Sequence, residues 1–189
     1  MGELYRDLLA ISTQINRGAT LEEVFNKFYD EFKSHIPFDR IGVSVITQED
    51  EMIRSIWARS EYSKLYLGLG YQSKLEGSSL QKIISTGEPR IINDLETYFN
   101  GHSNSHSTSL ILKEGVKSSL TCPLIAENKA IGFLFFSKNE KNAYKDAHVN
   151  TFLEIAQQLS LVVARIQNID RLKKLNNLKN KFLGIAAHD

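Results

Sequence analysis

A chain of 189 residues has room for one domain of ordinary size with an extra element or two, but not for two full domains and a linker. Its 42% hydrophobic and 24% charged residues, with only 3 prolines, exclude an intrinsically disordered segment. Against 22 acidic side chains stand 23 basic ones, so the net charge of +1 provides no field to hold nucleic acid or an anionic lipid surface.

Leu4, Leu8, Ile11 and Ile15 form a narrow apolar stripe at helical spacing, suited to packing on another helix, and Arg17-Gly18 ends it. "TLEE" reads as a capping box in which the Thr20 hydroxyl takes the amide near Glu23 and the Glu23 carboxylate reaches back. It starts a second helix with Leu21, Val24, Phe25, Phe28 and Phe32 as its apolar positions, and Pro37 stops it. "RIGVSVIT" (Arg40 to Thr47) and "MIRSIWARS" (Met52 to Ser60) are β-rich runs around the acidic turn "QEDE", which predicts an antiparallel hairpin. "SSLQKIISTGEP" predicts a capped helix from about Ser79 to Ser85, closed by Gly87 and Pro89, and "RIIND" a short strand. Leu95 to Thr108, rich in Asn, Ser, Gly and His, predicts a mobile loop over the sheet, followed by a helical turn near "LILKEG". "VKSSLTCPLIA" and "AIGFLFFSK" flank "ENK" and predict a second hairpin whose alternating strands supply much of the core. From about Lys145 onward only Gly184 interrupts a helical pattern, which predicts one element of roughly 65 Å.

This order of elements predicts an α+β fold, an antiparallel sheet flanked by helices with a long C-terminal helix. The longest apolar runs, such as "IGFLFF", are about six residues, well short of the roughly 20 that a membrane helix needs. Cys122 is the only cysteine and forms no intrachain disulfide, which fits a reducing, cytoplasmic compartment.

Five segments, "LEEVFNKFYDEF", "FDRIGVSVI", "STGEPRIIND", "VKSSLTCPLIAENKAIGFLFFS" and "LEIAQQLSLVVARI", together resemble a GAF domain over roughly Leu21 to Ile166. The hairpin is the most specific part: a polar strand, the Pro123-Leu124 step, a short turn, then "IGFL" leading into an amphipathic helix. The resemblance implies a small-molecule or protein-sensing module, dimeric and coupled to an effector, whose ligand the fold does not name. Any ligand is expected between the sheet and the segment Leu95 to Lys113.

"LKNKFLGIAAHD" resembles the phosphoacceptor motif of sensor histidine kinases, with Lys, Phe and Leu upstream of His and an acidic residue after it. The resemblance makes His188 the phosphate acceptor and Asp189 its acidic neighbour, because the chemistry wants a neutral imidazole on a rigid helix beside a carboxylate. No Gly-rich nucleotide motif is present, so the ATP site would lie in a kinase domain of the parent chain, and a response regulator would be the next acceptor. The implied organisation is a dimerisation helix over 1–19, the sensory domain over 20–168, and a linker with the start of the phosphoacceptor helix over 169–189. The alternative is a GAF regulatory domain of another signalling protein, such as a cyclase, phosphodiesterase or transcription regulator, without phosphotransfer.

His102 and His106 in "GHSNSHS" are spaced to grip a metal or flank a haem if helical, but their neighbours are loop formers and no Cys or carboxylate cluster accompanies them. They stand as cofactor candidates against a solvated loop, and no metal is expected. Cys122 alternates with Leu120 and Leu124, which makes it a small core residue and not a bilin attachment point. "NEKNAYKDAH" keeps Asn139, Lys141 and Asp146 of the cyclic-nucleotide signature without its spacing. On the long helix Phe152, Ile155, Leu159, Val162, Ile166 and Ile169 share one face. Leu175, Leu178, Phe182 and Ile185 line up instead with a weaker face of Leu153, Ala156, Ser160 and Ala164. Two apolar faces need two neighbours: the chain's own sheet, and the same helix of a second copy.

Overall fold

In a computed structural model of the chain, residues 5–7, 9–10, 13, 20–47, 51–62 and 64–186 are described. Six antiparallel strands form one sheet in the order β3-β2-β1-β6-β5-β4. They are β1 (Arg40–Ile46), β2 (Met52–Ser60), β3 (Gln72–Lys74), β4 (Arg90–Ile92), β5 (Ser118–Ala126) and β6 (Lys129–Lys138). The helices are α1 (Leu21–Phe32), α2 (Leu80–Thr86), α3 (Leu95–Asn100), α4 (His106–Lys113) and α5 (Ala147–Ala186).

The capping box before α1 and the glycine closing α2 act where they stand in the chain, whereas Ser79, at the start of α2, makes no side-chain capping bond. Both halves of the Thr20/Glu23 capping box form, with the Glu23 amide donating to the Thr20 hydroxyl and the Thr20 amide to the Glu23 carboxylate at 2.7 Å. Gly87, at φ +71°, closes α2 through its N–H to the Ile83 carbonyl, a left-handed turn that favours glycine. Glu127 and Asn128, at φ +49° and +60°, make the tight β5–β6 turn. The apolar stripe Leu4, Leu8, Ile11 and Ile15 lies outside the described residues. The described part of that segment is helical, and its Asp7 carboxylate sits 2.9 Å from the His35 ring just beyond α1.

The stretch from Leu95 to Thr108 is not one loop. Asp94 and Ser105 accept the Thr97 and Thr108 amides and start α3 and α4, so the polar residues that read as loop formers are partly helix caps.

Strand alternation divides the sheet into two unlike faces. Ile41, Val43, Val45, Leu120, Cys122, Leu124, Leu134 and Phe136 point to one side, where α1 and the first half of α5 cover them in the main core. From α1 come Val24, Phe25, Phe28 and Phe32; from α5 come Phe152, Ile155, Leu159 and Val162. The other face carries a small second cluster of Ile53, Ile83 and Phe133 under α2. A bulge opposite Val43/Ser44 pairs Val43 with Trp57 but Ser44 with Ser55. It therefore sends Trp57 into the main core and Ser55 and Ile53 to the opposite side, which unbroken alternation would not do.

Candidate functional site

The second face of the sheet sets small and hydroxylated residues among a few large ones. Arg90, Thr121, Phe135 and Gly42 stand opposite one another across β4, β5, β6 and β1, and Ile92, Ser119, Ser137 and Arg40 form the next row. Directly paired residues share a face, so all of these point away from the main core. The serines, the threonine and the glycine leave that face short of bulk. The segment 72–80 and helices α2 to α4 roof it over and enclose a cavity of about 740 Å³. That size suits a small organic ligand, for which pockets of about 300–1,000 Å³ are usual.

One wall is held by a buried ion pair. The Arg40 Nε donates to Glu114 Oε2 at 2.6 Å, and both side chains are almost wholly buried. The Tyr66 and Leu67 amides donate to Glu114 Oε1 at 2.7 Å each, while the other end of the guanidinium donates to the Leu67 carbonyl at 3.0 Å. This cluster joins β1, the end of α4 and the connection between β2 and β3. Gly42 makes room for it, since a Cβ there would lie 2.9 Å from the Arg40 guanidinium. Burial lowers the basicity of Arg40, and the Glu114 carboxylate opposes that shift.

At the far edge, the Arg90 guanidinium donates to the Ser79 carbonyl at 3.3 Å and lies 5.7 Å from the centroid of the Tyr98 ring. Among the described residues no carboxylate pairs with it. Burial lowers its basicity too, and Tyr98 partly offsets this. Exposed His102 and His106 stand at the mouth. The His102 ring stacks on Tyr98 at 4.1 Å and its Nδ1 is 2.9 Å from the Tyr98 carbonyl.

A family model described as the GAF domain matches residues 18–164. The chain belongs to the GAF domain family. No curated protein sequence matches it. Its fold is similar to several solved GAF domains, all at low identity. The phycoerythrobilin-bound GAF domain of a cyanobacterial phytochrome aligns at TM-score 0.68 and 16% identity, over 86% of this chain and 95% of that one. The GAF domain of a two-component sensor histidine kinase from Bacillus halodurans aligns at 0.66 and 16%, over 80% and 98%. The GAF domain of an Acinetobacter phosphoenolpyruvate-protein phosphotransferase aligns at 0.65 and 14%, over 87% and 95%.

Within this GAF fold the sequence-derived candidates fall in different places. His102 and His106 do line the cavity, but His102 follows α3 and His106 opens α4, so they do not share a helix at i, i+4. Among the described residues no three His, Cys, Asp or Glu side chains gather as a metal site. Cys122 lies on the opposite face, fully buried, with burial and then Glu88 pushing its thiol up to about 12. No thioether bond to a ligand in this cavity is open to it. His188 and Asp189 lie outside the described residues. Arg90, Ser44 and the Arg40–Glu114 pair were not singled out from the sequence, although the small and hydroxylated alternates of "RIGVS" and "SSLTC" carried that signal.

The helix α5 leaves the domain as a single rod of 40 residues, about 60 Å long. Phe152, Ile155, Leu159 and Val162 are buried as expected, whereas Ile169 is already 42% exposed, so the sheet-packed face ends near Ile166. Ala156 and Ser160 were expected on the outward face and are instead buried. The Ser160 hydroxyl accepts the Ile125 amide at 2.9 Å and thereby pins the helix to the end of β5. Among the described residues no helix is long and apolar enough to cross a membrane.

Proposed function

We propose that this chain is the sensory module of a cytoplasmic two-component histidine kinase, working as a parallel homodimer. Ligand occupancy of the cavity sets the packing of α5 and so the presentation of His188. The observation that carries the reading is the outward face of α5. Leu161, Leu175, Leu178 and Phe182 are 63%, 52%, 53% and 72% exposed. With Ala164, Asn168 and Arg171 they follow alternating steps of three and four residues, the repeat of a two-stranded coiled coil. Asn168 and Arg171 are its polar layers, which fix register and bring two packings close in energy.

In this reading the chain divides into a dimerisation helix over 1–19, the GAF domain over 20–168 and the linker into the phosphoacceptor helix over 169–189. The kinase domain of the parent chain would bring ATP. The His188 imidazole would attack the γ-phosphorus, the bond to ADP would break, and Asp189 would hold the ring. An aspartate of a response regulator would then take the phosphoryl group. The resemblance of "LKNKFLGIAAHD" favours this over a GAF regulator of another effector, a choice that the fold leaves open because solved relatives include a phosphotransferase and a phytochrome domain.

The test is phosphorylation of a chain extended by its native downstream segment. With ATP, acid-labile label should appear and vanish in His188→Gln. Four residues inserted after Asp170 rotate the seam by about 40° and should lock the output, whereas seven restore its phase to within about 20° and should return control. Undiminished label in His188→Gln would overturn the assignment.

A further inference from the structure

Among the described residues five buried side-chain polar atoms have no partner, and three of them belong to residues that line one cavity: Ser44 Oγ, Ser78 Oγ and Arg90 Nε. Such groups are costly to bury unless something pairs with them. Ser44 is only 4% exposed and stands on the cavity side of β1, where its strand neighbours Arg40 and Gly42 also face. The charge lining the cavity is also unbalanced. Arg40, Lys74 and Arg90 stand against Glu76 and the Glu114 that pairs with Arg40, an excess of one positive charge, and Arg90 has no ion-pair partner among the described residues.

We propose that the cavity takes a small, elongated organic anion, with a carboxylate or phosphate group seated on Arg90 and further polar groups meeting the Ser44 and Ser78 hydroxyls. This rests on the reading of the cavity as the ligand site. A guanidinium without a carboxylate partner, held against an aromatic face, presents planar donors suited to an oxyanion. An inorganic ion does not satisfy the rest. Arg90 and Ser44 stand on strands with β5 and β6 between them, and Ser44 lies two residues along β1 from the row of Arg90, so at about 4.8 Å per strand and 3.3 Å per residue their backbones are roughly 16 Å apart. One molecule reaches both only if it is extended and carries hydrogen-bonding groups along its length. Apolar patches from Ile53, Ile92, Ile111 and Phe135 cover the space between.

The test uses the intact chain with labelled isoleucine methyl groups, whose Ile53, Ile92 and Ile111 signals report on the cavity. Three samples are titrated in: organic carboxylates and phosphate esters, neutral alcohols and amides of matched size, and inorganic phosphate alone. The organic anions should shift these methyls. Arg90→Gln should weaken that binding about tenfold or more, while Arg90→Lys keeps part of it. The better of carboxylates and esters identifies the head group. If neutral compounds bind as well, if inorganic phosphate binds as tightly as the esters, or if Arg90→Gln binds anions unchanged, the anion assignment falls while the cavity remains a ligand site. If nothing in any sample moves these methyls, the ligand-site reading is overturned and this inference with it.

Discussion

Replacing Glu114 with glutamine removes one negative charge from the Arg40 cluster and changes almost nothing else. The carboxylate accepts from Arg40 Nε on one oxygen and from the Tyr66 and Leu67 amides on the other. A glutamine amide has one acceptor and one donor end. If its oxygen keeps the two backbone amides, its NH2 faces the guanidinium; if it turns over, two amides lose their acceptor. Either way a guanidinium that is 3% exposed is left without a counter-charge. Removing one member of a buried pair costs about 3–5 kcal/mol, because the remaining charge stays desolvated. For a domain of this size that is a fall in melting temperature of roughly 6 to 20 °C, at 2–4 °C per kcal/mol. Urea unfolding should show it as a lower midpoint with an unchanged slope, and amide exchange at Tyr66 and Leu67 should quicken. Arg40→Met combined with Glu114→Gln removes the orphaned charge, so the double variant should be less destabilised than the two losses added together, by about 0.5–3 kcal/mol. A loss below about 1 kcal/mol in Glu114→Gln, or strict additivity in the cycle, would show that the pair is not buried in solution and refute the reasoning.

Gly132→Ala should destabilise by about 1–3 kcal/mol or more, since the new Cβ would meet the Ser44 carbonyl at 2.0 Å between β1 and β6. Gly42→Ala meets the end of the Arg40 side chain at 2.9 Å and the Phe135 ring at an ordinary 3.7 Å, with no backbone atom in the way, and should cost less; equal losses by chemical denaturation would contradict that. The Cys122 thiol should resist a thiol reagent in the folded chain and react at the rate of unfolding; prompt labelling of native protein would place it nearer the surface. Asp94 is held at about 2 by the Thr97 amide and then by the Lys141 ammonium, so its contribution is complete above about pH 4 and is lost as pH falls through about 2. Asp94→Asn keeps a capping acceptor and should flatten the stability profile in that range, and an unchanged slope by urea unfolding would argue against it. Light scattering should give about twice 21.4 kDa, and Leu161→Glu with Leu175→Glu should halve it while the circular dichroism of the sheet persists; a parent chain that stays monomeric when concentrated would remove the coiled-coil seam.

What could be read ahead of the structure was whatever is set by local chemistry. The Thr20 capping box, the "ENK" turn and the alternation of Leu120, Cys122 and Leu124 each depend on residues within a few positions, and each appears where it was expected. Sequence and structure part where a distant partner decides. Asp94 and the Asn and Ser residues between Leu95 and Thr108 are ambiguous between loop and cap, because their side chains satisfy either, and only packing on the sheet makes Asp94 and Ser105 caps. Ser160 looks like a weak member of an outward stripe until the Ile125 amide at the end of β5 is placed beside it. The same limit hides Arg90. On its own "RII" is a short strand with a basic start. It becomes a candidate anion site only because pairing with β5 sets Arg90 opposite Thr121, on the face that the main core does not use. A cavity of this kind is a property of the sheet register. The small residues that hollow it out are spread over β1 and the distant β5–β6 hairpin, and no single segment contains enough of them to announce a site.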